Sequence, residues 1–178
     1  MKVICNSLEL SEACQNVSRA ASTKTAIPAI EGILMVAKNG TLTLTGYDLE
    51  MGIKTVIAAR VEEEGELVIN AHMFSETLRK LPESTVNIDS DSRQIASITS
   101  GEFESTLIGI SSEEYPELPS VSGGYHIDID ENILKDMVRK TIFSAAINNS
   151  WTIVHPIKPN MIIIQTTLCV FIPFPILT

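Results

Sequence analysis

The chain has 178 residues, 44% of them hydrophobic and 20% charged, the make-up of a soluble globular protein of one domain or one domain plus a fragment. Its formal net charge of −9 repels phosphate on average, so a nucleic-acid role cannot be argued from bulk charge and any DNA contact must come from a local basic face. The three cysteines, Cys5, Cys14 and Cys169, form no C-x-x-C pair and have no histidine at ligand spacing, so no metal is expected and reduced, buried thiols in a cytosolic protein are.

The first residues, Met1 to Asn6, alternate like a strand without a basic segment followed by a long apolar run, so no secretion signal is expected. Ser7 is placed as the N-cap of a helix whose apolar positions Leu10, Ala13, Cys14 and Val17 repeat at helical spacing to about Ala21. Ser22 to Thr25 is a polar loop carrying Lys24, and Pro28 stiffens the approach to the next strand. Ile33 to Lys38, then Asn39-Gly40, then the alternating Thr41 to Thr45 predict a tight hairpin with a primed turn.

Met51 to Val61 reads as a strand, Glu62 to Gly65 as an acidic turn, and Glu66 to Asn70 as a further strand. Helical spacing returns over Ala71 to Leu81 through Phe74, Leu78 and Leu81, and Pro82 marks the end. Three short strands are predicted near Thr85 to Asp89, Gln94 to Thr99 and Phe103 to Ile110, before the closing run Glu113 to Pro119. The boundaries that follow are a complete domain at 1–120, a Ser/Gly linker at 121–124, the start of a second unit at 125–146, and an apolar tail at 147–178.

An offset of 124 residues places Val3 on Ile127, Cys5 on Ile129, Leu10 on Leu134 and Cys14 on Val138. The strand-then-helix opening thus repeats, although any two amphipathic segments agree in part. From Ile147 onward Lys158 is the only charged residue, and four of the eight prolines crowd into the tail. Met161 to Thr178 is apolar, yet with Gln165, Thr166, Thr167 and two prolines it falls short of the roughly 20 apolar residues a membrane span needs, so no membrane partner is expected.

Three stretches, Thr25 to Ile53 (TAIPAIEGILMVAKNGTLTLTGYDLEMGI), Asn70 to Ser84 (NAHMFSETLRKLPES) and Glu113 to Pro119 (EEYPELP), resemble in order and spacing the bacterial sliding-clamp family, the DNA polymerase III beta subunit. The likeness runs from Met1 to about Ala146, covers the amino-terminal domain and the opening of the second, and stops where that family usually continues with Arg-Pro; here the positions are Trp151-Thr152. It implies an α+β clamp fold, two helices packed on two antiparallel four-stranded sheets. It also implies three such domains per subunit and two subunits closed head to tail around duplex DNA, in a cytoplasmic replication assembly with DNA polymerase III and a clamp loader. A chain ending early in the second domain would be an incomplete, inactive piece of that ring, lacking the later domains that carry the family's pocket for partner peptides.

The resemblance implies a topological mechanism with sequence-blind phosphate contacts and neither cofactor nor catalytic residue. Lys24 matches a basic position facing DNA in the family, and is otherwise a solvated loop lysine. His72 matches a position that is often basic, or is a half-exposed residue at a helix start. Arg19, Arg79 and Lys80 lie on or beside the two helices that would face the hole, where they could moderate repulsion from Glu9, Glu12 and Glu76, or be plain surface charges. Asn148 matches a polar loop position near DNA. Glu102 to Ile110 resembles the edge strand that meets the neighbouring subunit, making Leu107 an interface residue or a filler of this domain's own core.

An enzyme reading has only the closely spaced carboxylates Asp48/Glu50 and Asp89/Asp91, each in a turn context, and the isolated His126 and His155. A different class of function, a stand-alone module pairing through its edge strand with a full-length clamp, uses the same residues.

Overall fold

The structure is a computed structural model that describes residues 1–21, 27–118, 128–141, 160–165 and 168–174. The predicted loop at 22–25 and the linker at 121–124 lie outside these residues; of the strand expected to open the second unit, 126 and 127 lie outside them and Asp128 to Asp130 form no strand.

Strand β1 (Lys2–Asn6) leads directly into helix α1 (Ser7–Val17). The cap is Asn6, one residue earlier than the expected Ser7. The Asn6 side-chain oxygen accepts from the backbone N–H groups of Leu8 (2.9 Å) and Glu9 (3.1 Å), two of the donors a helix start leaves free. Ser7 is already helical, and its hydroxyl donates instead to the Glu83 carbonyl at 2.6 Å. A 3₁₀ turn at Ser18–Ala20 carries the helical stretch close to its expected end.

Strands β2 (Gly32–Lys38) and β3 (Thr41–Tyr47) form the predicted hairpin. Both turn residues, Asn39 (φ 52°) and Gly40 (φ 74°), are left-handed, as a primed two-residue turn requires. Strand β4 (Gly52–Glu63) is longer than expected and absorbs the first two residues of the acidic turn. Its carboxyl half pairs with β1, Val61 opposite Val3 and Arg60 opposite Ile4, and this ladder holds Glu62 and Glu63 extended. Strand β5 (Gly65–Asn70) follows and feeds helix α2 (Ala71–Leu78), capped by Asn70. This helix stops three residues before the expected Leu81. Arg79 and Lys80 close it with amides bonded to Ser75 and Thr77, and Pro82 bars extension.

The meander β6 (Thr85–Ser90), β7 (Ile95–Ser100) and β8 (Phe103–Ile110) completes the domain. Two antiparallel layers result, β1-β6-β7-β8 and β5-β2-β3-β4. They are joined on one side by β4 to β1 and on the other by Val68 and Ile69 of β5 against Ile110 and Gly109 of β8. Alternate residues of both layers and one face of each helix share a single core that includes Val3, Leu10, Cys14, Ile33, Leu44, Leu67, Phe74, Ile88 and Ile98. Burying this much apolar surface is the main stabilising term, at about 25 cal/mol per Å².

Gly46 lets α1 approach closely: a Cβ there would lie 2.3 Å from the Val17 carbonyl oxygen. Past the domain, helix α3 (Glu131–Thr141) is capped by Asp130 through Asn132 and Ile133. Two strands of the tail, β9 (Asn160–Gln165) and β10 (Leu168–Phe174), pair antiparallel, and β10 lies along β4 with Leu168–Val170 opposite Ile53–Thr55.

Candidate nucleic-acid interface

Helices α1 and α2 lie side by side across the layers. Their seam is small and polar: Cys14 Sγ is 3.3 Å from Ser75 Oγ, and the Ser18 hydroxyl donates to the Cys14 carbonyl at 2.6 Å. Small side chains allow the helices this close contact. Burial raises the Cys14 pKa, against the hydrogen bonds from Ser75 and Ser18, so the thiol stays protonated and unreactive.

With their inner faces in the core, the helices turn Leu8, Glu9, Glu12 and Gln15 of α1, and His72 and Met73 of α2, to solvent. Arg19 follows α1 and is exposed; Arg79 and Lys80 follow α2 and are exposed too. The structure therefore brings four of the sequence-predicted residues, Arg19, His72, Arg79 and Lys80, onto or beside one two-helix layer. Arg79 Nη1 sits 2.7 Å from Glu76 Oε1, so one of these side chains is already engaged. The sequence reading set Glu76 among the repelling charges without foreseeing this bond, although three-residue spacing on a helix was the available signal. Lys24 and Asn148 lie outside the described residues.

Among the described residues, the strand predicted as an edge, Glu102 to Ile110, is open along part of its length. Phe103 to Ile108 pair with β7 on one side, and only Gly109 and Ile110 reach β5 on the other. Leu107 is 5% exposed and belongs to the core, while Ile108 beside it is 80% exposed, as strand alternation requires. The apolar side chain that β8 presents outward is thus Ile108, and a neighbour pairing here would meet the backbone edge and that residue. After β8, the Tyr115 hydroxyl donates to the Thr45 carbonyl at 3.2 Å. This bond pins the Glu-Glu-Tyr-Pro run to β3, and burial pushes the phenol pKa up.

Asp48 and Asp91 are turn formers, whereas Asp89 lies in β6, opposite Lys2 and Ser97, rather than in the expected turn. Asp48 accepts from the amides of Glu50 (2.9 Å) and Met51 (2.6 Å). Asp91 accepts from the amides of Ile95 (3.0 Å) and Arg93 (2.9 Å) and also binds the Arg93 guanidinium at 2.9 Å. The Ile95 amide foremost, with Arg93, holds the Asp91 pKa below its ordinary value. Among the described residues no group of three or more His, Cys, Asp or Glu could hold a metal ion, and no helix is long and apolar enough to cross a membrane.

A family model described as "DNA polymerase III beta subunit, N-terminal domain" matches residues 1–119. The chain is 33% identical over 154 residues to the beta sliding clamp of Bacillus subtilis, covering 82% of this chain and 41% of that protein. To the beta sliding clamp of Halalkalibacterium halodurans it is 34% identical over 139 residues, covering 74% and 37%. Among solved structures, the DNA polymerase sliding clamp from Bacillus subtilis superposes with a TM-score of 0.79 at 32% identity, over 85% of this chain and 42% of that one. A putative DNA polymerase III beta subunit from Eubacterium rectale gives 0.78 at 34% identity, over 84% and 41%. The chain spans about 40% of the length of the relatives it matches.

Proposed function

The chain belongs to the DNA polymerase III beta subunit family through that family's N-terminal domain, at residues 1–119, and on this premise we propose that it supplies one DNA-encircling segment of a sliding clamp in replication. The observation that carries the reading is the helix pair: one layer that gives its apolar faces to the core and turns the cations Arg19, Arg79 and Lys80, together with the His72 imidazole, outward beside Glu9, Glu12 and Glu76. Such a mixed surface holds phosphates weakly and without reading bases, which suits a ring that must slide. Lys24 and Asn148 would extend the same contact from the flanking loops. No side chain of this chain is assigned a catalytic role and no cofactor is called for, because retention on DNA is topological.

The open edge of β8 is the proposed meeting point with a neighbouring clamp subunit, through backbone pairing and Ile108, with Leu107 bracing the strand from behind. DNA polymerase III and a clamp loader are the proposed partners of the assembled cytoplasmic ring. By themselves these 178 residues do not close a ring, since they span about 40% of a ring subunit's length.

Light scattering behind size exclusion, with and without circular primed DNA, tests the ring statement: no retention on the circle is expected, and retention lost on linearising would overturn it. Amide chemical shifts of the labelled chain titrated with a short duplex at low salt test the helix reading. Shifts confined to α1, α2 and their flanks support it, and shifts on the outer sheet faces instead would end it.

A further inference from the structure

The Arg79–Glu76 contact does more than decorate α2. Glu76 lies in the last turn of the helix, where the macrodipole disfavours a carboxylate, and its three-residue spacing to Arg79 offsets that only slightly. Its partner is fixed: the Arg79 amide donates to the Ser75 carbonyl, leaving only the side chain to move. Both side chains are open to solvent, 61% for Arg79 and 44% for Glu76, so the pair is screened and weak. A guanidinium binds carboxylate and phosphate with the same two-pronged geometry. Next to it, Lys80 makes no hydrogen bond or ion pair with any other side chain among the described residues.

We infer that Glu76 is a built-in competitor for Arg79, holding its guanidinium when DNA is absent and exchanging it with passing backbone phosphates. The end of α2 then offers duplex DNA one standing cation, Lys80, and one that must first be released. Replacing a carboxylate partner by a phosphate keeps the net cost of each exchange small, which limits how tightly any one phosphate is held. This rests on the reading that α1 and α2 face the duplex.

The test compares the full chain with Glu76→Gln, Arg79→Gln, the double variant and Lys80→Gln, by fluorescence anisotropy with a short labelled duplex across a salt series. Glu76→Gln is expected to tighten binding roughly two- to five-fold at low salt and to steepen the dependence of log K on log salt by about one unit, because Arg79 becomes a standing contact. In the Arg79→Gln background the same change is expected to leave the slope unaltered. Equal tightening with and without Arg79 would reduce Glu76 to a general repelling charge and overturn the inference. If Lys80→Gln weakens binding while Glu76→Gln changes nothing, the inference fails and the helix reading stands. If no variant alters binding, or none binds at the lowest salt, both fail. A shift of the Arg79 Nε–H resonance in Glu76→Gln without DNA provides an independent check that the pair forms in solution.

Discussion

Helices α1 and α3 begin alike and end in different surroundings. At the offset of 124 residues, Asn6 falls on Asp130, and each caps its helix through two amides. Leu10 falls on Leu134 and Cys14 on Val138. Yet Leu10 and Cys14 are fully buried, while Val138 is 48% exposed and Met137, the counterpart of buried Ala13, is 55% exposed. The apolar stripe writes the helix; the sheet laid against it supplies the stability.

The sharpest way to break this comparison is to delete the same side chain from both helices. Leu10→Ala is expected to lower the unfolding free energy by roughly 2–5 kcal/mol and Leu134→Ala by about 0.5 kcal/mol or less, read from urea midpoints. Equal losses would mean that α3 is packed as well as α1. Next in size, Gly46→Ala pushes a methyl into the Val17 carbonyl and should cost about 3 kcal/mol, by the same measurement. A cost near zero would show that α1 is free to shift away from β3.

The pH dependence separates the two segments further, because the counterpart of Cys5 is Ile129, which cannot titrate. Burial, helped by Glu9, raises the Cys5 pKa from 9.0 to about 12. Below pH 9 both folded and unfolded chains keep the thiol protonated and stability is full. Between 9 and 12 only the unfolded chain ionises, so stability falls by roughly 1 kcal/mol per pH unit. Cys5→Val should flatten part of that decline in denaturant midpoints taken from pH 8 upward (a range set by the ordinary thiol value), leaving the share of Cys14 and Tyr115. An unchanged slope would show that Cys5 does not contribute. Smallest is the cap. Asn6→Ala should cost about 1 kcal/mol of global stability, whereas Asp130→Ala should lower helical circular dichroism slightly and leave the midpoint in place.

Local chemistry made much of the fold legible. Asn39-Gly40 announced its hairpin because only residues tolerant of left-handed backbone fit there, and apolar spacing marked both domain helices. What the sequence hid was set by contacts between distant residues. The cap moved from Ser7 to Asn6 because Ser7 found the Glu83 carbonyl. β4 outran its acidic end because β1 lies along it. The left-handed conformations of Leu49 (φ 76°) and Gln94 (φ 63°) have no local signature, since neither residue type favours them. At the candidate interface, the basic residue types and their helix were readable, and helix spacing offered Glu76 both Arg79 and Lys80, but the choice of Arg79 required side-chain geometry. The outward direction of Ile108 required only the phase of β8, which a register error of one residue would have inverted.

The position of β1 also governs when this protein can finish folding. Lys2 pairs with Glu63 on one side and Asp89 on the other, and the Met1 carbonyl receives the Ser90 amide. β1 therefore has no sheet partner until β4 is in place, and its second edge stays open until β6 joins it. Until both partners arrive, Val3, Cys5 and Leu10 lack the full sheet that later covers them, so β1 and the first turns of α1 are the stretch where misassociation during folding has its longest opportunity.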